Sequence, residues 1–251
     1  MFFEKRQALF IGRFAPWFRS ATVACAFSTR RGGVSLPPYD SLNLGLNTED
    51  DAASVGENLR RFCDAAGVDR ERIAFTKQVH GVRVATARSA GVVEDTDALV
   101  SDAPGLWLAI QTADCVPIFL FDPVRKAVAA VHAGWKGSLD GIAEMAVRAM
   151  DLEFGTKPAD LEACIGPSIG PCCYRIGPEV AGLFPQEYIK GNRLDLWEYN
   201  HVRLIRSGVC QDRIQMSRLC TVCHNSWFFS HRASQGKTGR MMALISITEN
   251  P

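Results

Sequence analysis

Histidine is scarce in this chain, with 5 in 251 residues. That is too few for several multi-histidine metal clusters and enough for one metal site. Net charge is almost absent, because 28 Lys+Arg face 27 Asp+Glu. The balance argues against a basic nucleic-acid surface and against an acidic tail. No uncharged apolar stretch approaches the roughly 20 residues of a transmembrane helix. The opening MFFEKRQALFIGRFAPWFRS mixes basic and apolar residues, but Arg13 interrupts the apolar run and no A-x-A site follows. The expectation is a cytoplasmic protein with reduced thiols and neither nucleic-acid nor membrane partners. Linkers, low-complexity segments and strong internal repeats are also missing. The length allows one large domain or two small ones, and no composition shift marks a boundary between them.

What the chain does hold is an ordinary globular mix, 47% hydrophobic and 22% charged. Its cysteine count is 9, an odd number that no fully paired disulfide framework can use. Short apolar runs alternate with amphipathic stretches, so the expected fold is α/β (α+β), a layered domain with mixed β-sheets flanked by helices. Residues 51–66 place Val55, Leu59, Phe62 and Ala66 on one helical face, with Asp51 as N-cap and Gly67 as stop. Residues 138–154 read as a second helix with Ile142, Met145, Ala146 and Met150 inward. Strands are expected at 73–76, 82–86, 98–101, 107–111, 116–121, 127–131, 161–165 and 241–247.

Three segments put polar residues directly against apolar strands: TKQVHG (76–81), QTADCVP (111–117) and AVHAGWKG (130–137). Each carries a potential metal ligand at a strand end, His80, Cys115 and His132 respectively. Gly81 and Gly134 permit tight turns beside two of them. Two His and one Cys suit a zinc ion that keeps its fourth position open. The long spacing between the three is not a local zinc-finger signature, and three unrelated strand-end residues would look the same.

Three further segments carry chemistry only conditionally. Cys220-Thr-Val-Cys223-His224 has the C-x-x-C-H form of a haem attachment site, which the cytoplasmic reading does not support. It also resembles half of a structural zinc site. A second C-x-x-C is missing, and the adjacent pair Cys172-Cys173 is not expected to chelate in that geometry, so the motif reads as coincidental. FSTRRGGVS (27–35) offers cationic forks and free backbone N–H groups for an anion, or a solvated surface turn. IGPSIGPCCYRIG (165–177) reads as a rigid loop, its two Gly-Pro steps forming a shaped wall beside a pocket.

Together, STRRGGVS, SLNLGLNTEDD, NLRRF, TKQVHGVRV, TDALVS, QTADCVPIFLFDP, AAVHAGWKG, IGPSIGPCCYRIG and FFSHR…TGRMMALI span about residues 28 to 246. In this combination they resemble the family variously called multicopper polyphenol oxidase (laccase domain), bacterial purine nucleoside phosphorylase or peptidoglycan editing factor. The resemblance implies a single α/β domain over residues 1–251, with a zinc site made of His80, Cys115 and His132 beside a purine nucleoside pocket. It implies phosphorolysis of adenosine, inosine, guanosine and methylthioadenosine, and deamination of adenosine. Lys136 departs from the Arg that often follows HAGW, and His231 stands where Tyr is common.

On this reading the cofactor is zinc, with copper as the alternative metal, and the partners are purine nucleosides and phosphate. Cys115, Asp114 and His80 are the expected catalytic residues. Asp114 is either an acid for the leaving ammonia or a partner that orients a ligand. Ser28, Arg30 and Gln78 are the expected substrate and phosphate contacts. Two other reactions compete with it. A copper-dependent polyphenol oxidase would ordinarily show repeated H-x-H pairs, and the chain has none. A metal-free hydrolase acting in peptidoglycan-precursor editing would use Cys115 as nucleophile and His80 or His132 as base.

Overall fold

Strands without polar alternation need cover on both faces. In a computed structural model, which describes residues 1–18 and 20–249, two stacked sheets and the helices outside them provide it. One sheet has seven strands, in the order Phe2–Arg6, Leu9–Arg13, Val23–Ser28, Met241–Ile247, Trp107–Thr112, Ile73–Thr76 and Gly91–Val93. The other has six, in the order Ile214–Met216, Glu162–Ile165, Val116–Asp122, Ala127–Ala133, Ala98–Ser101 and Val84–Thr86. Both are mixed: a mostly antiparallel run ends in parallel pairs such as Ile73–Thr76 with Trp107–Thr112 and Glu162–Ile165 with Ile214–Met216. The α/β class and the mixed sheets expected from the sequence are therefore present.

The period-2 alternation of each strand divides the core into layers. Phe119 and Phe121 face the seven-stranded sheet, where they meet Phe27, Leu108 and Ile245. Val116, Ile118 and Leu120, on the opposite face of the same strand, pack with helix Ile142–Phe154 and helix Leu196–Arg206. On the far side of the seven-stranded sheet, Ile11, Ala26, Ala109 and Leu244 pack with Phe62 and Cys63 of helix Ala52–Ala66. The order through the molecule is helix, sheet, sheet, helix.

Helix Ala52–Ala66 begins and ends where its sequence signals lie. The Asp51 carboxylate accepts the Ser54 N–H, and Gly67 takes φ 72 in the left-handed region. The second expected helix is two helices, Trp135–Leu139 and Ile142–Phe154, separated by Gly141 at φ 91. Its inward face is Ile142, Ala143, Ala146, Val147 and Met150. Met145 is exposed rather than inward, because the face centres between Ala143 and Ala146 and position 145 falls more than 100° away at 100° per residue. The sequence pattern does not predict the strands Phe2–Arg6, Leu9–Arg13, Val23–Ser28, Gly91–Val93 and Ile214–Met216; the first two form an antiparallel hairpin in the N-terminal stretch. Among the described residues no helix is long and apolar enough to cross a membrane.

Candidate metal centre

Strand register assembles the centre. In the antiparallel pair Val116–Asp122 with Ala127–Ala133, Pro117 lies opposite His132 and Val116 opposite Ala133. Cys115, one residue before that strand, is thereby set beside His132 and next to Gly134. On the other flank Val131 lies opposite Ala98, so Asp97 stands beside His132 and its carbonyl accepts the His132 N–H at 2.8 Å. His80 arrives from the other sheet, on the loop after Ile73–Thr76. Oδ2 of Asp97 accepts the N–H groups of Val79 (3.2 Å) and Gly81 (2.8 Å), and Oδ1 accepts that of His80 (2.9 Å). The buried carboxylate thus fixes the left-handed turn in which His80 sits at φ 60.

The ligand atoms of His80, Cys115 and His132 all lie within 4.8 Å of one another. The two imidazoles meet edge to face, with centroids 4.9 Å apart and planes at 81°. Asp97 Oδ1 is 2.8 Å from His132 Nδ1, which leaves Nε2 for a metal in the carboxylate–histidine–metal arrangement. Gly134 is a close approach: a Cβ there would stand 3.0 Å from His80 Cδ2 and 3.3 Å from Cys115 Sγ, tighter than an ordinary contact. At Gly81 the nearest atoms to such a Cβ are 3.6 Å away, an ordinary contact, so the close-approach argument belongs to Gly134 alone. The donor set, one thiol and two imidazoles with one imidazole anchored, fits a borderline-soft ion with a free fourth position.

Without metal the same groups hold one another in charged form. Burial opposes ionising Cys115, but His132 and His80 outweigh it and bring the thiol down to about 6. Burial also opposes charge on His132, and Cys115 and Asp97 outweigh it, raising the imidazole to about 9. Asp97 is lowered: its burial is outweighed by His132 and by the backbone N–H groups it accepts. At neutral pH the metal-free centre is a thiolate–imidazolium pair backed by a carboxylate.

A cavity of about 490 Å³ opens over the centre, within the usual size range of small-molecule sites. Its lining includes the apolar Trp135, Ile169, Tyr174 and Leu196, and the cations Arg232 and Arg240. Ile169 and Tyr174 come from the 165–177 loop, where a shaped pocket wall was expected. Gln78 and Asp114 line the cavity too, with most of their polar atoms engaged. Gln78 Oε1 accepts the Gln111 N–H at 2.7 Å and its Nε2 donates to the Gln111 carbonyl at 2.8 Å. Asp114, at φ 91, accepts Thr221 Oγ1 at 2.6 Å, Ser230 Oγ at 3.0 Å and the Arg232 N–H at 2.7 Å.

The structure does not bring Ser28 and Arg30 to this cavity. Ser28 is fully buried, and its Oγ accepts the Met242 N–H at 2.9 Å. The Arg30 guanidinium donates to the carbonyls of Asp40 and Asn225 and lies over Phe229. The cations that do face the cavity are Arg232 and Arg240, and the carboxylate that anchors the centre is Asp97. None of these stood out in the sequence. The TDALVS block contains Asp97, and Asp-before-buried-strand was the available signal. The structure also corrects the exclusion of Cys172-Cys173. Both sulfurs meet Cys223, and all four of Cys172, Cys173, Cys220 and Cys223 lie within 4.8 Å of one another.

A family model described as multi-copper polyphenol oxidoreductase laccase matches residues 24–248. A Bacillus subtilis protein named purine nucleoside phosphorylase YlmD is 37% identical over 248 residues, covering 90% of this chain and 89% of its own length. A Deinococcus radiodurans protein named purine nucleoside phosphorylase is 38% identical over 242 residues, covering 92% and 93%. The crystal structure of a Bacillus licheniformis hypothetical protein, YfiH, superposes with a TM-score of 0.91 at 36% identity, covering 98% of this chain and 99% of the other.

Proposed function

Because the chain belongs to the multi-copper polyphenol oxidoreductase laccase family, whose matched members are named purine nucleoside phosphorylases, we propose that it is a zinc-dependent purine nucleoside phosphorylase that also deaminates adenosine. The observation that carries this reading is the His80–Cys115–His132 group at the floor of a cavity with both an apolar wall and two arginines. A zinc ion held there supplies Lewis acidity at neutral pH. The chain's residues supply the rest. Trp135 and Tyr174 offer the flat aromatic faces a purine needs, with the aliphatic Ile169 beside them. Arg232 and Arg240 offer the charge that phosphate needs to approach C1′ of the ribose. In phosphorolysis the C1′–N9 bond breaks as the phosphate oxygen bonds C1′, and the purine leaves with a proton. In deamination water adds at C6 and ammonia leaves.

Within this reading Asp114 is a positioning residue. Its three donors leave it an acceptor that ties the Thr221 and Arg232 loops to the Cys115 turn. Gln78 holds the His80 loop against the end of strand Trp107–Thr112. Phosphate contact passes from Ser28 and Arg30 to Arg232 and Arg240. The histidines favour one imidazole-bound metal over a copper cluster: among the described residues only His80 and His132 join a group of three or more ligand side chains, and His201, His224 and His231 join none.

The order Asp97–His132–Cys115 also supports a second reading, a Cys–His hydrolase in which His132 takes the thiol proton and Cys115 attacks. Metal occupancy separates the two. Zinc-loaded enzyme given adenosine and phosphate is expected to yield adenine with ribose 1-phosphate, and inosine. Cys115→Ala is expected to lose that zinc and both products together. Full turnover by the metal-stripped enzyme, or no product from a loaded one, overturns the proposal.

A further inference from the structure

The cluster of Cys172, Cys173, Cys220 and Cys223 takes no part in the chemistry above, and its placement is built into the sheet. Strands Glu162–Ile165 and Ile214–Met216 are parallel neighbours, with Ala163 opposite Ile214 and Ile165 opposite Met216. Parallel neighbours leave a sheet at the same end, so the loops that follow run side by side. The pairing continues past the strands. Ser168 donates its N–H to the Leu219 carbonyl at 3.2 Å, and Thr221 donates to the Ser168 carbonyl at 3.0 Å. That extension brings Cys220-x-x-Cys223 against the turn holding Cys172 and Cys173.

The sulfur geometry is that of a coordination shell rather than of a bond. Cys172 Sγ and Cys173 Sγ each lie 3.5 Å from Cys223 Sγ, and all four sulfurs fall within 4.8 Å of one another. A tetrahedral ion with metal–sulfur distances of about 2.3 Å needs sulfur–sulfur edges of about 3.8 Å. A disulfide needs about 2.05 Å. The Gly170 N–H donates to Cys220 Sγ at 3.3 Å, and the N–H groups of Val222 and Cys223 also point at that sulfur.

We propose that Cys172, Cys173, Cys220 and Cys223 form a second metal site, a closed tetrathiolate shell for one zinc ion that fastens the two loops together. Four protein ligands leave no open position, so the site is structural. Its effect falls on the cavity. One fastened loop carries Ile169 and Tyr174, which line the cavity. The other carries Thr221, followed by Ser230 and Arg232, all three of which donate to Asp114. This assignment does not depend on what the cavity binds.

The test is zinc stoichiometry by mass spectrometry on full-length protein purified without oxygen. Wild type is expected to hold two zinc ions per chain, Cys115→Ala one, the Cys172→Ser/Cys223→Ser pair one, and the combined variant none. Cobalt loaded into Cys115→Ala reads the four cysteines without altering them, and is expected to show the strong sulfur-to-cobalt charge-transfer absorption of a tetrathiolate. Wild type with a single zinc that Cys115→Ala abolishes, or cobalt-loaded Cys115→Ala lacking that absorption, overturns the proposal. So does a denatured, chelator-treated chain that titrates with fewer than its 9 thiols, because paired sulfurs cannot serve as ligands.

Discussion

The Asp97 carboxylate accepts hydrogen bonds from the His80 N–H and from His132 Nδ1, so one residue orients two ligands. It also holds charge on His132, which in turn holds Cys115 as thiolate. In metal-stripped protein, alkylation of Cys115 followed by peptide mapping is expected to switch on as pH rises through about 6. An ordinary thiol switches on near about 8.5. The sign follows from the partner: a cation beside the sulfur favours the deprotonated form, so the reactive species persists to lower pH. Asp97→Asn removes one of the two groups, Cys115 and Asp97, that keep His132 cationic. It is expected to move the alkylation midpoint upward and to weaken zinc binding by about 10- to 100-fold, the usual loss when such a partner is removed. An unmoved midpoint would count against the carboxylate's role. Asp97 was hard to single out because an acidic residue before a strand is common, and only the register of Ala98–Ser101 with Ala127–Ala133 sets it beside His132.

At the scale of elements, the short helix Trp135–Leu139 begins at Gly134, whose backbone lies at φ −68 and ψ 171. Alanine adopts those angles without strain, so the constraint there is one of space. Gly134→Ala is expected to push His80 and Cys115 apart, lowering zinc affinity about tenfold or more while leaving the melting temperature nearly unchanged. Isothermal titration with zinc, beside a thermal melt, checks both halves. The capped helix Ala52–Ala66 was legible because its signals are local: Asp51, the apolar spacing and Gly67 lie within one stretch of chain. The break at Gly141 was not legible, since the apolar pattern runs across it. The N-terminal hairpin was not legible either, because Phe2–Arg6 is a partly exposed edge strand whose charged residues blur the alternation.

At the scale of the molecule, the two sheets share a core in which Phe119 is 2% exposed between Phe27 and Leu108. Phe119→Ala is expected to destabilise the fold by about 3–5 kcal/mol, read from a chemical denaturation midpoint. Because Phe119 faces the other sheet while its strand neighbours Ile118 and Leu120 face the helices, the loss reports on sheet–sheet packing rather than on either helix.

The sequence by itself determined the layered α/β class, the strands of the central region, and the three ligand types that strand ends present. These follow from patterns a few residues long and from the scarcity of histidine, which limits the imidazole metal sites to one. Tertiary structure alone decided that His80, 35 residues before Cys115, reaches it through a turn fixed on Asp97. It decided that Arg232 and Arg240 face the cavity while Arg30 does not. It also decided that adjacent Cys172 and Cys173 meet a distant C-x-x-C. The physical reason is the same in each case. Side-chain period and turn chemistry are local, whereas strand register and parallel pairing join segments that no local pattern connects.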